Sequence, residues 1–141
     1  MSCSLRPSLR SPVRIAVLAT VALARCSGNS LEPIVPCAAD QGVTISVSPG
    51  TTPRFTWRPR CGMAALWVVS MVDSLHGWTL RGAIMSDNPL PSGIRYAEVP
   101  AMGIEDAPAA TLVPGALYLV TLLRSTGGND AYLQGSAYFT P

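Results

Sequence analysis

From residue 43 to the C-terminus this chain repeats one pattern: a short β-prone run, then a turn signal. Val43-Thr44-Ile45-Ser46-Val47-Ser48 alternates strictly and sets Val43, Ile45 and Val47 on one side, the period of two that a half-buried strand requires. Pro49-Gly50 turns the chain. Arg54-Phe55-Thr56-Trp57-Arg58 alternates again and puts Phe55 beside Trp57. Residues 66–72 and 77–85 are further apolar runs, the second carrying Trp78 and Leu80. Residues 94–99 place Ile94, Tyr96 and Glu98 on one side, and residues 116–123 follow. Residues 131–140 close the series after Gly127-Gly128-Asn129-Asp130, a hairpin signal because Gly and Asn take positive φ readily. No stretch of useful length keeps a helical period here. Seven strands in about 100 residues predict an all-β, antiparallel, two-sheet sandwich.

The N-terminus has a different grammar. Arg6, Arg10 and Arg14 precede Ile15-Ala16-Val17-Leu18-Ala19-Thr20-Val21-Ala22-Leu23-Ala24. A charged start, a short apolar stretch and small residues are the layout of an export signal. Ten residues are too few to span a bilayer, which needs about 20. Two cuts compete. Leu23-Ala24-Arg25-Cys26 resembles the lipobox of bacterial lipoproteins, in which the Cys becomes a lipidated N-terminus, although Arg25 stands where that family has a small residue. Ala22-Leu23-Ala24 is also an ordinary A-x-A secretory site. Cysteine arithmetic favours the first. Cys3 leaves with the signal, and an odd thiol among Cys26, Cys37 and Cys61 needs a role. Lipidation of Cys26 supplies one and leaves Cys37 and Cys61 as an even pair, expected as a disulfide, with two buried thiols as the alternative. The expected organisation is a signal over 1–25, a flexible tether over 26–42 containing Pro33 and Pro36, and one domain over 43–141. The expected place is the cell envelope, as an outer-membrane lipoprotein, since the resemblance makes Ser27 compatible with that sorting; otherwise the chain is secreted.

Charge supports this division. Four of the ten arginines (Arg6, Arg10, Arg14 and Arg25) precede Cys26, and all eight acidic residues follow it, so the remainder is formally two charges negative. With its arginines scattered, it lacks the basic stripe that nucleic acid calls for. The 48% hydrophobic content, with Pro and Gly confined between apolar runs, argues for a folded core over disorder.

Leu112-Val113-Pro114-Gly115-Ala116-Leu117-Tyr118-Leu119-Val120 resembles the L-x-P-G-x-x-Y-x-V stretch of fibronectin type III domains. Ser48-Pro49-Gly50 followed by Phe55-Thr56-Trp57, and Ser136-Ala137-Tyr138-Phe139-Thr140, resemble that family's first turn, second strand and closing strand. The resemblance spans residues 43–140 and implies an immunoglobulin-like sandwich. Its core signature would be Phe55, Trp57, Leu112, Pro114, Gly115 and Tyr118, with Tyr118 forming a corner whose hydroxyl finds a nearby carbonyl. A fold of this kind implies no activity.

Residues with chemical potential are few. His76 is the only histidine, and Asp73 and Ser74 share its turn. Glu105-Asp106 reads as a solvated loop, because neighbours on a strand would point oppositely. Met63, Met71, Met85 and Met102 have no close His or Met spacing that would suit copper. No catalytic, metal or cofactor site is expected, and the chain reads as a non-enzymatic binding or structural module. The run 66–72 is more informative. Leu66, Val68, Ser70 and Val72 share one face, and Trp67, Val69 and Met71 share the other. A sandwich strand normally turns one polar face to solvent. The second apolar face therefore reads either as covered by the chain itself or as a binding face, with Trp67, Val69, Met71 and Trp78 as its candidates and a protein or glycan at the envelope as partner. In the glycan version Trp67, Trp78 and Tyr132 are the stacking platform of a carbohydrate-binding module.

Overall fold

The structure, a computed structural model, describes residues 33–73, 76–127 and 130–141, the His76 side chain excepted. The expected leader, Cys26, the first part of the tether, Ser74, Gly128 and Asn129 lie outside the described residues. The described residues form eight strands: β1 (Thr44–Val47), β2 (Arg54–Arg58), β3 (Ala65–Ser70), β4 (His76–Gly82), β5 (Ile94–Arg95), β6 (Gly103–Ala107), β7 (Tyr118–Ser125) and β8 (Ala131–Phe139). A single 3-10 turn, Met85–Asp87, interrupts the described residues. Every strand pairing is antiparallel. One sheet runs β1-β2-β5 and the other β6-β4-β3-β7-β8.

The core lies between the two sheets. Phe55 and Trp57 enter it from β2, Leu66 and Val68 from β3, Trp78 and Leu80 from β4, and Tyr118, Val120 and Leu122 from β7. Aromatic rings join the layers. Phe55 meets Phe139 edge-on at 5.6 Å, Phe139 stacks on Tyr118 at 5.5 Å, and Trp78 meets Tyr96 edge-on at 5.3 Å. These are the spacings at which ring quadrupoles attract. Tyr118 closes its corner differently from expectation. Its hydroxyl accepts the Val113 N–H (3.0 Å) and meets no carbonyl among the described residues. The reason is the turn below it: the Ala116 N–H donates to the Val113 carbonyl (3.1 Å) around Pro114 and Gly115, whose φ of 81° suits a residue without Cβ.

Two expectations are corrected. Gly103–Ala107 is an edge strand, where a loop was expected. Its Glu105 accepts from Trp78 Nε1 (2.8 Å) and its Asp106 from Arg81 Nε (2.9 Å), so partners on β4 hold a segment whose own sequence has no apolar alternation. Glu98 is exposed, because β5 ends at Arg95 and only Ile94 and Tyr96 face the core. The stretch before β1 is pinned from Pro36 onward. Pro36 bridges Gly62 in parallel fashion, Cys37 is buried, and the Gln134 amide donates to the Ala38 and Gln41 carbonyls. The disulfide expected between Cys37 and Cys61 is present, with Cα atoms 4.8 Å apart. Gly62 is required at this crossing, since a Cβ there would lie 2.1 Å from the Asn88 carbonyl oxygen.

The long connection between β4 and β5 ties both sheets together. Met63 and Leu90 exchange backbone hydrogen bonds (3.0 and 2.9 Å). Two side chains then act as strand partners. Asn88 Oδ1 accepts the Ser125 N–H (2.8 Å), while its Nδ2 donates to the carbonyls of Ser125 (3.0 Å) and Ser86 (3.2 Å). Ser92 Oγ accepts the Trp57 N–H (2.8 Å) and donates to the Trp57 carbonyl (3.1 Å). Asn88 thus engages the end of β7 and Ser92 the end of β2.

Candidate functional site

Alternation along the five-stranded sheet sends Leu66, Val68, Trp78, Leu80, Val120 and Leu122 inward, and the other residues form an outer face. Val69, Leu119 and Tyr138 make one row of that face across β3, β7 and β8, roughly 10 Å wide at two strand spacings. Met71 and Leu117 extend it past the strand ends, where the Met71 N–H donates to the Leu117 carbonyl (3.0 Å). The next row is Thr79, Trp67, Thr121 and Ser136, so Trp67 stands among hydroxyls. Trp67 is 37% exposed, Met71 and Leu117 45% each, and Tyr138 64%. The Arg81–Asp106 ion pair (2.9 Å) borders the face on its β4–β6 side.

Of the residues expected here, Trp67, Val69 and Met71 share this face and Trp78 does not. Trp67 pairs with Thr79, and Trp78 pairs with Val68, so the period of two puts Trp78 on the inner side, fully buried. Its indole N–H alone reaches the edge, at Glu105. Tyr132 lies opposite Arg124, one step out of phase with the Leu123–Leu133 pair, and so on the other side of the sheet from Trp67. Trp67, Trp78 and Tyr132 therefore do not form a common platform. Sequence reasoning missed Leu117, Leu119 and Tyr138. The alternation of β7 could have singled out Leu119, but only the register places it between Val69 and Tyr138.

The core signature divides similarly. Phe55, Trp57, Leu112 and Tyr118 are buried, while Pro114 and Gly115 are exposed in the turn that aims Tyr118. Cys37 and Cys61 tie the lead-in to the body beside an open groove of about 520 Å³, lined by Pro33, Ile34, Val35, Arg60, Pro91 and Ser92 among others.

A second concavity, of about 320 Å³, opens at the opposite pole, where β3 ends and β7 begins. Tyr96 lies in its wall, with its hydroxyl against the carbonyls of Gly77 (2.7 Å) and Ala110 (2.6 Å). Burial first, then the neighbouring Tyr118 hydroxyl and Glu105 carboxylate, push the Tyr96 phenol up to about 12. Among the described residues no group of three or more His, Cys, Asp or Glu side chains is placed to hold a metal ion. Comparison of the chain with protein-family models, curated proteins and solved structures gives no match.

Proposed function

We propose that this chain is an exported, lipid-anchored β-sandwich module of the bacterial cell envelope that binds a partner protein through the outer face of its five-stranded sheet and catalyses no reaction. The observation that carries the reading is the outward row of half-buried Val69 and Leu119 with exposed Tyr138, and exposed Met71, Leu117 and Trp67 around it. An apolar centre with an aromatic anchor, ringed by hydroxyls and an ion pair, has the anatomy of a protein interface. A protein fits this surface better than a glycan does, because the aromatics of a sugar platform are split between the two sides of the sheet.

The anchor rests on Leu23-Ala24-Arg25-Cys26 and on the Cys37–Cys61 disulfide, which leaves Cys26 as the odd thiol after the signal and suits an oxidising compartment. The fibronectin type III likeness is supported by the Val113–Tyr118 corner and by the strand number, since seven strands remain when the edge strand β6 is set aside.

Photo-crosslinking in intact cells tests the interface. A crosslinking residue at Tyr138 is expected to yield a discrete protein adduct, lost in Trp67→Ala at an unchanged urea midpoint, whereas one at Ser46 on the other sheet yields none. No adduct from Tyr138, or equal adducts from both positions, would overturn the reading. The mass of the mature N-terminus tests the anchor separately: an acylated Cys26 is expected, and an unmodified start at Arg25 would exclude it.

A further inference from the structure

The cavity at the far pole carries an unspent pair of donors. Ser70 and Tyr118 stand directly opposite each other on β3 and β7, and both line it. The Tyr118 hydroxyl accepts the Val113 N–H (3.0 Å), and Ser70 Oγ accepts the Val72 N–H (3.3 Å). Each is thus engaged as an acceptor, and among the described residues neither hydroxyl proton meets an acceptor. Tyr118 is 95% buried, at 5% exposure, so water competes poorly for its proton. Tyr96, in the same wall, differs: its one proton already serves two carbonyls. The rest of the lining includes Val72, Leu112, Val113 and Ala116, with Asp73 bringing a carboxylate.

We infer that this cavity is a binding site for a small, uncharged, mainly apolar carbonyl compound — a ketone, lactone or amide — whose oxygen accepts from both Ser70 and Tyr118. A carbonyl oxygen has two lone pairs and needs no donor of its own, which suits a cavity whose wall holds two hydroxyl donors from facing strands. The volume lies at the lower end of the range for preformed ligand pockets, and a largely apolar wall with a few convergent polar groups is their usual composition. None of the described lining residues is cationic, so an uncharged ligand suits the cavity better than an anion. The site stands at the other end of β3 from the Pro36–Gly62 bridge where the lead-in joins the body, and it does not depend on the outer-face reading above.

The test is an amide-resolved NMR titration of the full chain with camphor and with cyclohexanone, beside camphor-10-sulfonate as an anion of the same skeleton. Both ketones are expected to shift the amides around Ser70 and residues 110–116, and the sulfonate to leave them unmoved. Ser70→Ala is expected to weaken camphor binding by roughly threefold to tenfold, the worth of one hydrogen bond. Ala116→Leu, which fills the cavity from a half-buried position, is expected to abolish binding while the remaining spectrum keeps its dispersion. No shifts with either ketone, equal binding of the sulfonate, or an affinity unchanged by both Ser70→Ala and Ala116→Leu would overturn the assignment.

Discussion

Replacing Asn88 tests how the two sheets are coupled. This residue is 2% exposed, has φ 50° and ψ 55°, and its amide makes three hydrogen bonds, two of them with the backbone of Ser125. Asn88→Ala deletes all three and leaves the N–H of buried Ser125 without that acceptor. At about 1 kcal/mol per bond, with a further contribution for the buried backbone groups that lose these contacts, the loss is roughly 3–5 kcal/mol. Part of the cost is the left-handed backbone, which Ala tolerates worse than Asn does. Asn88→Gly removes that part and should lie within about 1 kcal/mol of Ala on the more stable side.

Asn88→Asp separates the chemistry further. It keeps the acceptor for Ser125 N–H but turns an unprotonated oxygen towards the carbonyls of Ser86 and Ser125. The buried carboxyl should therefore hold its proton above the ordinary value near 4. The native state then binds more protons than the unfolded one, so the penalty is smallest in acid, where one proton still replaces only one of the two amide donations, and grows with pH up to the raised pKa. Urea unfolding followed by the fluorescence of buried Trp57 and Trp78 reads the series. A loss of 3 kcal/mol moves the midpoint by roughly 1–3 M. If Asn88→Ala lies within about 0.5 kcal/mol of the parent, the usual range of an indifferent surface change, the coupling argument is wrong. It is equally wrong if Asn88→Asp matches the parent at pH 7.

Two further outcomes are expected. Removing the disulfide with Cys37→Ser and Cys61→Ser together should cost about 3–4 kcal/mol, because the bond closes a loop of 24 residues; a urea midpoint insensitive to the double substitution and to reductant would refute that. Tyr96, held up to about 12 by burial, keeps its proton where an unfolded tyrosine loses it near 10. Stability should therefore be unaffected by this group below pH 10 and fall between 10 and 12. Stability measured against pH should lose that decline in Tyr96→Phe, and a decline that persists unchanged would assign it to another group.

Much of the fold was legible because strand formation here is local. The alternation of Val43-Thr44-Ile45-Ser46-Val47 and of Phe55-Thr56-Trp57 states which side is buried before any partner is known, and Pro114-Gly115 carries its turn within four residues. Strand β6 was not legible, because Gly103–Ala107 has no apolar alternation and takes its extended form from Trp78 and Arg81 on another strand. The outer face was half legible. Trp67, Val69 and Met71 announce a second apolar side, but parity across β3 and β4 removes Trp78 from it, and register alone adds Leu119 and Tyr138.

The sequence by itself determined the class of the domain and the inward side of Phe55, Trp57 and Tyr118, and pointed to a pairing of its last two cysteines, through period, turn chemistry and parity of count. The tertiary structure decided what lies beside what. Asn88 and Ser92 look like ordinary loop residues in the chain, and they become strand partners only because the connection that holds them crosses the ends of β7 and β2. Ser70 and Tyr118 lie 48 positions apart and meet only through the β3–β7 register. Such juxtapositions depend on contacts between distant segments, whose geometry a one-dimensional pattern does not encode.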